Sequence, residues 1–261
     1  MKNKKLYFIL LYISSFILWT SCSGDSESLA PGMDNGGGKG GSMARFTISG
    51  DYLYTADHST LKMFDISTAE TPKYMKTKNQ YLDFGVETIF TMDTLLFIGS
   101  QIGMYIYDIS RPEFPQQMSY VSHITSCDPV VASGNYAYVT LNSQNAWCGR
   151  SSNVLQVYDI SDPFHPELVK EQTGFKHPRG LGVDGKKLFI CDDGLKVFDL
   201  DNPEQPVWVD DFTNMPEANG IDTYDVIPLN GLLLLIGADG LYQFDYKEDK
   251  LTFVSKIGVS K

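Results

Sequence analysis

Histidine and cysteine are scarce, with four of each among 261 residues. His58, His123, His165 and His177 are scattered, and neither they nor the cysteines pair with the spacing of a zinc site. No Ser-His-Asp spacing marks a nucleophilic hydrolase either. Basic residues are in deficit, 21 against 32 acidic, leaving a net charge of −11. A negative field repels a phosphate backbone, which argues against nucleic acid as a partner. No apolar run reaches the roughly 20 residues needed to cross a bilayer as a helix. What is present is 43% hydrophobic and 13% aromatic residues, enough for a large core that needs no disulfide scaffold.

The N-terminus reads as an address. Lys2, Lys4 and Lys5 precede an apolar run from Leu6 to Trp19, the form of a secretory signal peptide. Trp19-Thr20-Ser21-Cys22 resembles the lipobox of bacterial lipoproteins, with Trp in place of the usual aliphatic residue, and this resemblance implies lipidation at Cys22. Residues 22–42 are rich in Ser, Gly and Asp and can build no core, so they are expected to form a flexible tether between the signal peptide (1–21) and a folded domain (43–261). Gly38-Lys39 is no phosphate loop, because Met33 and Gly40 stand where that loop needs Gly and Ser or Thr. Asp25 and Glu27 behind the cysteine resemble export signals of outer-membrane lipoproteins, which places the domain in the bacterial envelope, facing outward.

The remainder repeats one phrase five times. LKMFDIS, MYIYDIS, LQVYDIS, LKVFDLD and LYQFDYK share an aspartate, at Asp65, Asp108, Asp159, Asp199 and Asp245, with spacings of 43, 51, 40 and 46. Leu or Met stands four positions earlier and Phe or Tyr one position earlier in all five. Proline follows seven positions later in the first four, as Pro72, Pro115, Pro166 and Pro206. Within a copy the apolar period is two, broken by turn residues into four short runs. Four strands per copy at this spacing predict an all-β fold, a five-bladed β-propeller of four-stranded antiparallel blades. No exchanged strand is evident, so ring closure is expected to rest on packing of blade one against blade five. The segments resemble LVIVD repeats, with VYDISDPFHPELV (157–169) the best copy. That resemblance implies a cell-envelope propeller and supplies no catalytic residue.

Each shared aspartate sits where a third strand ends, the place of an Asx-turn acceptor rather than of a metal ring. Function is therefore sought where the copies differ. The connections between second and third strands, and between blades, share one face, which gathers Asp57, His58, Gln101, Asn142, Asp192, Asp193, Asp239, Glu87, Asp128, Arg179 and Asp222. About ten extra residues enlarge one of these connections, and they include Trp147 and Arg150, residue types that anchor interfaces. Cys127 and Cys148 reach that same face and are expected to bridge, pinning the loop, whereas Cys191 lies in an apolar strand and reads as a buried thiol.

The reading is a non-enzymatic binding module without cofactor, using Asp57, His58, Gln101, Asn142, Trp147, Arg150, Arg179, Asp192 and Asp239. It would meet a glycan, protein or small ligand, and the membrane only through the N-terminal lipid. A glycoside-active enzyme using Glu87, Asp128, Asp192, Asp193 or Asp222 is the alternative. Metal binding by His58 with Asp57, or by Asp192 with Asp193, is a third and weaker one.

Overall fold

The computed structural model describes residues 40–82, 85–122, 129–142, 153–211, 220–248 and 250–259. Cys22, Cys127, Asp128, Trp147, Cys148 and Arg150 lie outside them, and so do the signal peptide, most of the tether and the expected disulfide. Five antiparallel sheets follow one another along the chain, each ordered A-B-C-D, and together they form the five-bladed propeller that the repeats predict. The inner A strands are Phe46–Ser49, Val86–Met92, Val130–Ser133, Pro178–Asp184 and Thr223–Leu229. The B strands are Tyr52–Asp57, Leu95–Ser100, Tyr136–Leu141, Lys187–Asp192 and Leu232–Gly237. The C strands are Thr60–Asp65, Gly103–Asp108, Val154–Asp159, Leu195–Asp199 and Gly240–Asp245. The outer D strands of blades two to five are Gln116–Ser122, Glu167–Gln172, Val207–Asp211 and Thr252–Gly258. Blade one has only Lys73–Tyr74 there, with Gln80–Tyr81 also pairing to its C strand.

Local chemistry explains the repetition. Every A–B hairpin turns in two residues, and the first of them, Gly50, Asp93, Gly134, Gly185 or Asn230, is left-handed, which Gly, Asp and Asn tolerate best. The shared aspartates are Asx-turn acceptors in all five blades, taking the N–H two residues on at 3.0, 2.7, 2.8, 2.6 and 2.9 Å. Asp65 and Asp159 are held below the usual carboxylate range, Asp65 chiefly by the Ser67 hydroxyl and Asp159 chiefly by the Ser161 N–H. These turns lie at the surface, so water competes for the same donors and each bond contributes little.

The proline turns do more than set backbone direction. Tyr54 of blade one donates its hydroxyl to Pro112 O of blade two at 2.9 Å, and Tyr138 of blade three does the same to Pro203 O of blade four at 3.1 Å. Ser119 of blade two reaches Pro163 O of blade three at 2.7 Å. A proline carbonyl thus accepts from the preceding blade at three junctions. Tyr138→Phe keeps the packing, loses this bond, and is expected to cost about 1 kcal/mol. A thermal melt checks it, with a fall of roughly 2–4 °C expected for a domain of this size.

Packing between blades is uneven around the ring. Four buried clusters join blades one to two, two to three, three to four and four to five. Among the described residues no fifth cluster joins blade five to blade one. The B strands show why: in blades two, three and four all but the first residue is buried, whereas in blades one and five burial alternates. Leu232, Leu234 and Ile236 face the seam half-buried or exposed, and across it Phe46 is 55% exposed. The proline latch is missing there too, since Leu234 occupies the place of Tyr54 and Ala69 that of Pro112.

Closure by face-to-face packing of blades one and five is therefore corrected. The chain preceding blade one stitches the ring instead. Ala44 O accepts from Ile89 N of blade two at 2.9 Å. Ser42 accepts from Leu181 N of blade four at 2.8 Å and donates to Asp225 of blade five at 3.1 Å. Met43 N adds a bond to the second Asp225 oxygen at 3.2 Å. The packed part of the chain thus includes Gly40–Ser42, which the sequence had assigned to the tether; Ser42 is 1% exposed.

Candidate functional site

The two ends of the ring differ in kind. One end carries the two-residue A–B turns and the Asx turns, all alike. The other carries the B–C and D–A connections. Four of its five B–C turns are tight, but 12 residues separate Leu141 from Val154 in blade three, and 11 separate Asp211 from Thr223 before blade five.

On that variable face each described residue of the expected set meets a local partner. Asp57 pairs with Lys62, whose hydrogen bond holds its carboxyl below the usual range. His58 O accepts from Gly85 N at 2.9 Å, tying the blade-one turn to the entry of blade two. Gln101 donates to Glu87 at 3.1 Å. Arg179 donates to Asp222 at 2.6 Å and to Thr223 O at 3.1 Å, and lies 5.0 Å from the Tyr224 ring centre. Asp192 is fully buried, pairs with Lys196 and accepts the N–H groups of Lys176 and His177. Asp193 takes His177 Nδ1 at 2.7 Å. Asp239 binds Lys256 and the Tyr242 hydroxyl, both at 2.6 Å, and Lys256 above all keeps it ionised. Asn142 is buried where the long connection leaves strand B.

These residues are thus spread around the face as pairs, and Asp57, Arg179, Asp192 and Asp239 each spend a hydrogen bond on a partner outside the expected set. Among the carboxylates named for glycoside chemistry, Glu87 is raised, by burial and against the Gln101 hydrogen bond. Among the described residues no group of three or more His, Cys, Asp or Glu is arranged to hold a metal. Cys191 is a fully buried thiol whose pKa burial drives well up, as its apolar strand suggested.

Two features escaped the sequence. One is Asp225, a carboxylate with no basic partner among the described residues, held by Ser42, Met43 N and its own neighbour Val226 N. A lone acid inside the apolar strand Thr223–Leu229 was the available signal. The other is a cavity of about 340 Å³ in the channel, lined by the A strands of all five blades and by Gly40. It occupies the half nearer the A–B turns, the end that looked purely structural.

Comparison with known proteins follows this geometry. The LVIVD repeat family matches residues 40–80 and 126–173. No curated protein matches the chain in sequence. Among solved structures, a functionally unknown protein from Desulfotomaculum acetoxidans aligns with TM-score 0.67 at 12% identity, over 83% of this chain and 70% of its own. The periplasmic gluconolactonase of Pseudomonas aeruginosa aligns with TM-score 0.59 at 15% identity, over 80% and 68%. Apo AztD from Citrobacter koseri aligns with TM-score 0.58 at 14% identity, over 82% and 60%. At such identities the likeness is one of fold. Residues 40–80 and 126–173 thus match LVIVD repeats, and the chain folds as a five-bladed β-propeller.

Proposed function

We propose that the protein is a non-enzymatic binding module of the cell envelope, anchored by a lipid on Cys22, and that its B–C and D–A face meets a glycan, protein or small ligand. The observation that carries this is the asymmetry of the two ends. The ring holds its two longest connections on one face, and long loops on a fixed scaffold are where recognition concentrates. Trp147 and Arg150 belong to the longest of them, and a Cys127–Cys148 bridge would fix it over the face. Arg179 stands beside the other long connection through its bond to Asp222.

The test is a glycan array probed with the full chain recovered from envelopes, alongside Trp147→Ala, Arg179→Ala and Cys127→Ser. Binding that falls tenfold or more in the first two variants, and less in the third, is expected from anchor residues at an interface centre. Unchanged binding by Trp147→Ala and Arg179→Ala, with melting temperatures intact, would overturn the assignment of this face.

A further inference from the structure

The channel cavity lies at the opposite end from that face and has its own chemistry. In an antiparallel pair, residues alternate between those that bond across to the partner strand and those whose N–H and C=O point away. Each A strand is the inner edge of its sheet, so the outward-pointing groups enter the channel. The two-residue turns fix which residues these are. Met92 pairs with Leu95, Ser133 with Tyr136 and Asp184 with Lys187 as the last bonded pairs. Thr91, Ala132 and Val183 therefore turn their backbone groups inward, as do Ile48 and Pro228 in the same register of blades one and five. The bonds Ile89 N to Ala44 O and Leu181 N to Ser42, two residues deeper on two of these strands, confirm the phase.

This makes a ring of five equivalent positions around the channel. In the deeper ring the 42–44 segment meets the inward N–H groups of Ile89 and Leu181. In the outer ring no described strand pairs with them, and Thr91, Ala132, Val183 and Pro228 line the cavity. Pro228 has no N–H, so these four positions offer four carbonyls and three N–H donors. Among the described residues the only charged side chains lining the cavity are Asp93 and Asp184, and no lysine, arginine or histidine does. The aromatic rings of Phe46 and Phe90 and the hydroxyls of Thr47, Thr91 and Ser133 complete the wall. Acceptors exceed donors and the charge is of one sign. Gly40, next to the 42–44 segment that bonds across the ring, also lines the cavity.

We propose that this cavity is a binding site for a small organic cation, a protonated amine carrying an apolar or aromatic body. The volume is at the lower end of those that hold small ligands. The ammonium group would donate to the carbonyl ring and to Asp93 or Asp184, and the body would lie against Phe46 and Phe90, whose faces favour a nearby cation. An anion of equal size meets two carboxylates with no counter-charge and is rejected.

Isothermal titration of the full chain with three probes of one shape decides it: 2-phenylethylamine, the neutral 2-phenylethanol and the anionic 3-phenylpropionate. The amine should bind at least tenfold more tightly than the alcohol, and the carboxylate least. Asp93→Asn with Asp184→Asn should erase the preference of amine over alcohol. Asparagine keeps the left-handed turn at position 93 and an acceptor for the Tyr246 hydroxyl at position 184, and a melting curve verifies the fold. Equal affinity for all three, tightest binding of the anion, or no binding of the amine near 1 mM would overturn the proposal. Because neither position lies on the B–C face, failure here leaves the glycan-array result standing, and the reverse also holds.

Discussion

Gly41→Val lowers stability by about 3 kcal/mol, a large effect for one exchange in a loop. A Cβ at position 41 would stand 1.9 Å from one Asp225 oxygen and 2.7 Å from its carboxyl carbon. Asp225 has little freedom to move aside, because Ser42, Met43 N and Val226 N all hold it. Either the carboxylate loses those bonds in a buried site or the 40–44 segment leaves the channel, and both open the junction that no apolar core closes. Gly258→Ala is the control, since a Cβ there meets only Asp239 O, at 4.0 Å. Urea denaturation should separate the two variants clearly, and a Gly41→Val midpoint equal to that of Gly258→Ala would remove the segment from any role in closure.

Asp225→Asn abolishes most of a fall in stability that the protein shows as pH rises from about 4 to 7. Burial raises the Asp225 carboxyl from 3.8 to about 6, against the hydrogen bonds from Met43, Val226 and Ser42. The folded state therefore binds this proton more tightly than the unfolded chain does. The resulting stabilisation is complete below the unfolded value and is lost as pH rises through the folded one. At roughly 1.4 kcal/mol per tenfold, the difference is of the order of 3 kcal/mol. The buried Cys191 thiol feels the same charge and is pushed further up by it. Surface aspartates such as Asp57, Asp65 and Asp239 act in the opposite sense and at lower pH, because their folded values are lowered. Glu87 is raised by burial and shares the sign of Asp225, so it adds to the slope that survives in Asp225→Asn. Denaturant midpoints between pH 4.5 and 7 measure both, and parallel curves for wild type and variant would show that Asp225 is not the group responsible.

The repeat and the fold were legible in the sequence because they rest on local chemistry. An aspartate two residues before a turn N–H, a left-handed residue at each two-residue hairpin, and apolar period two within short runs all act within one blade. They state the same thing five times, so one weak copy, such as LYQFDYK, does not spoil the reading. The Cys191 thiol was legible for the same reason, as part of an apolar strand. The candidate face could be named residue by residue from the meander, but not its pairing, since Arg179 with Asp222 and Asp193 with His177 join residues 43 and 16 positions apart.

How the ring closes and where it is hollow were decided only in three dimensions. Leu232, Leu234 and Ile236 look in sequence like the core residues of any blade. They are left half-covered because they face the one junction where the first and last blades meet without a chain connection. Ser42 looks like the end of a glycine linker, yet it bonds residues 139 and 183 positions away. The cavity is built from backbone edges of five strands, and edge carbonyls carry no sequence signature except at Pro228, where the missing N–H faces the channel. Periodicity and turn chemistry are properties of neighbours along the chain and set the blades. Closure and hollow depend on which blade faces meet when five of them share one axis, and only the assembled ring determines that.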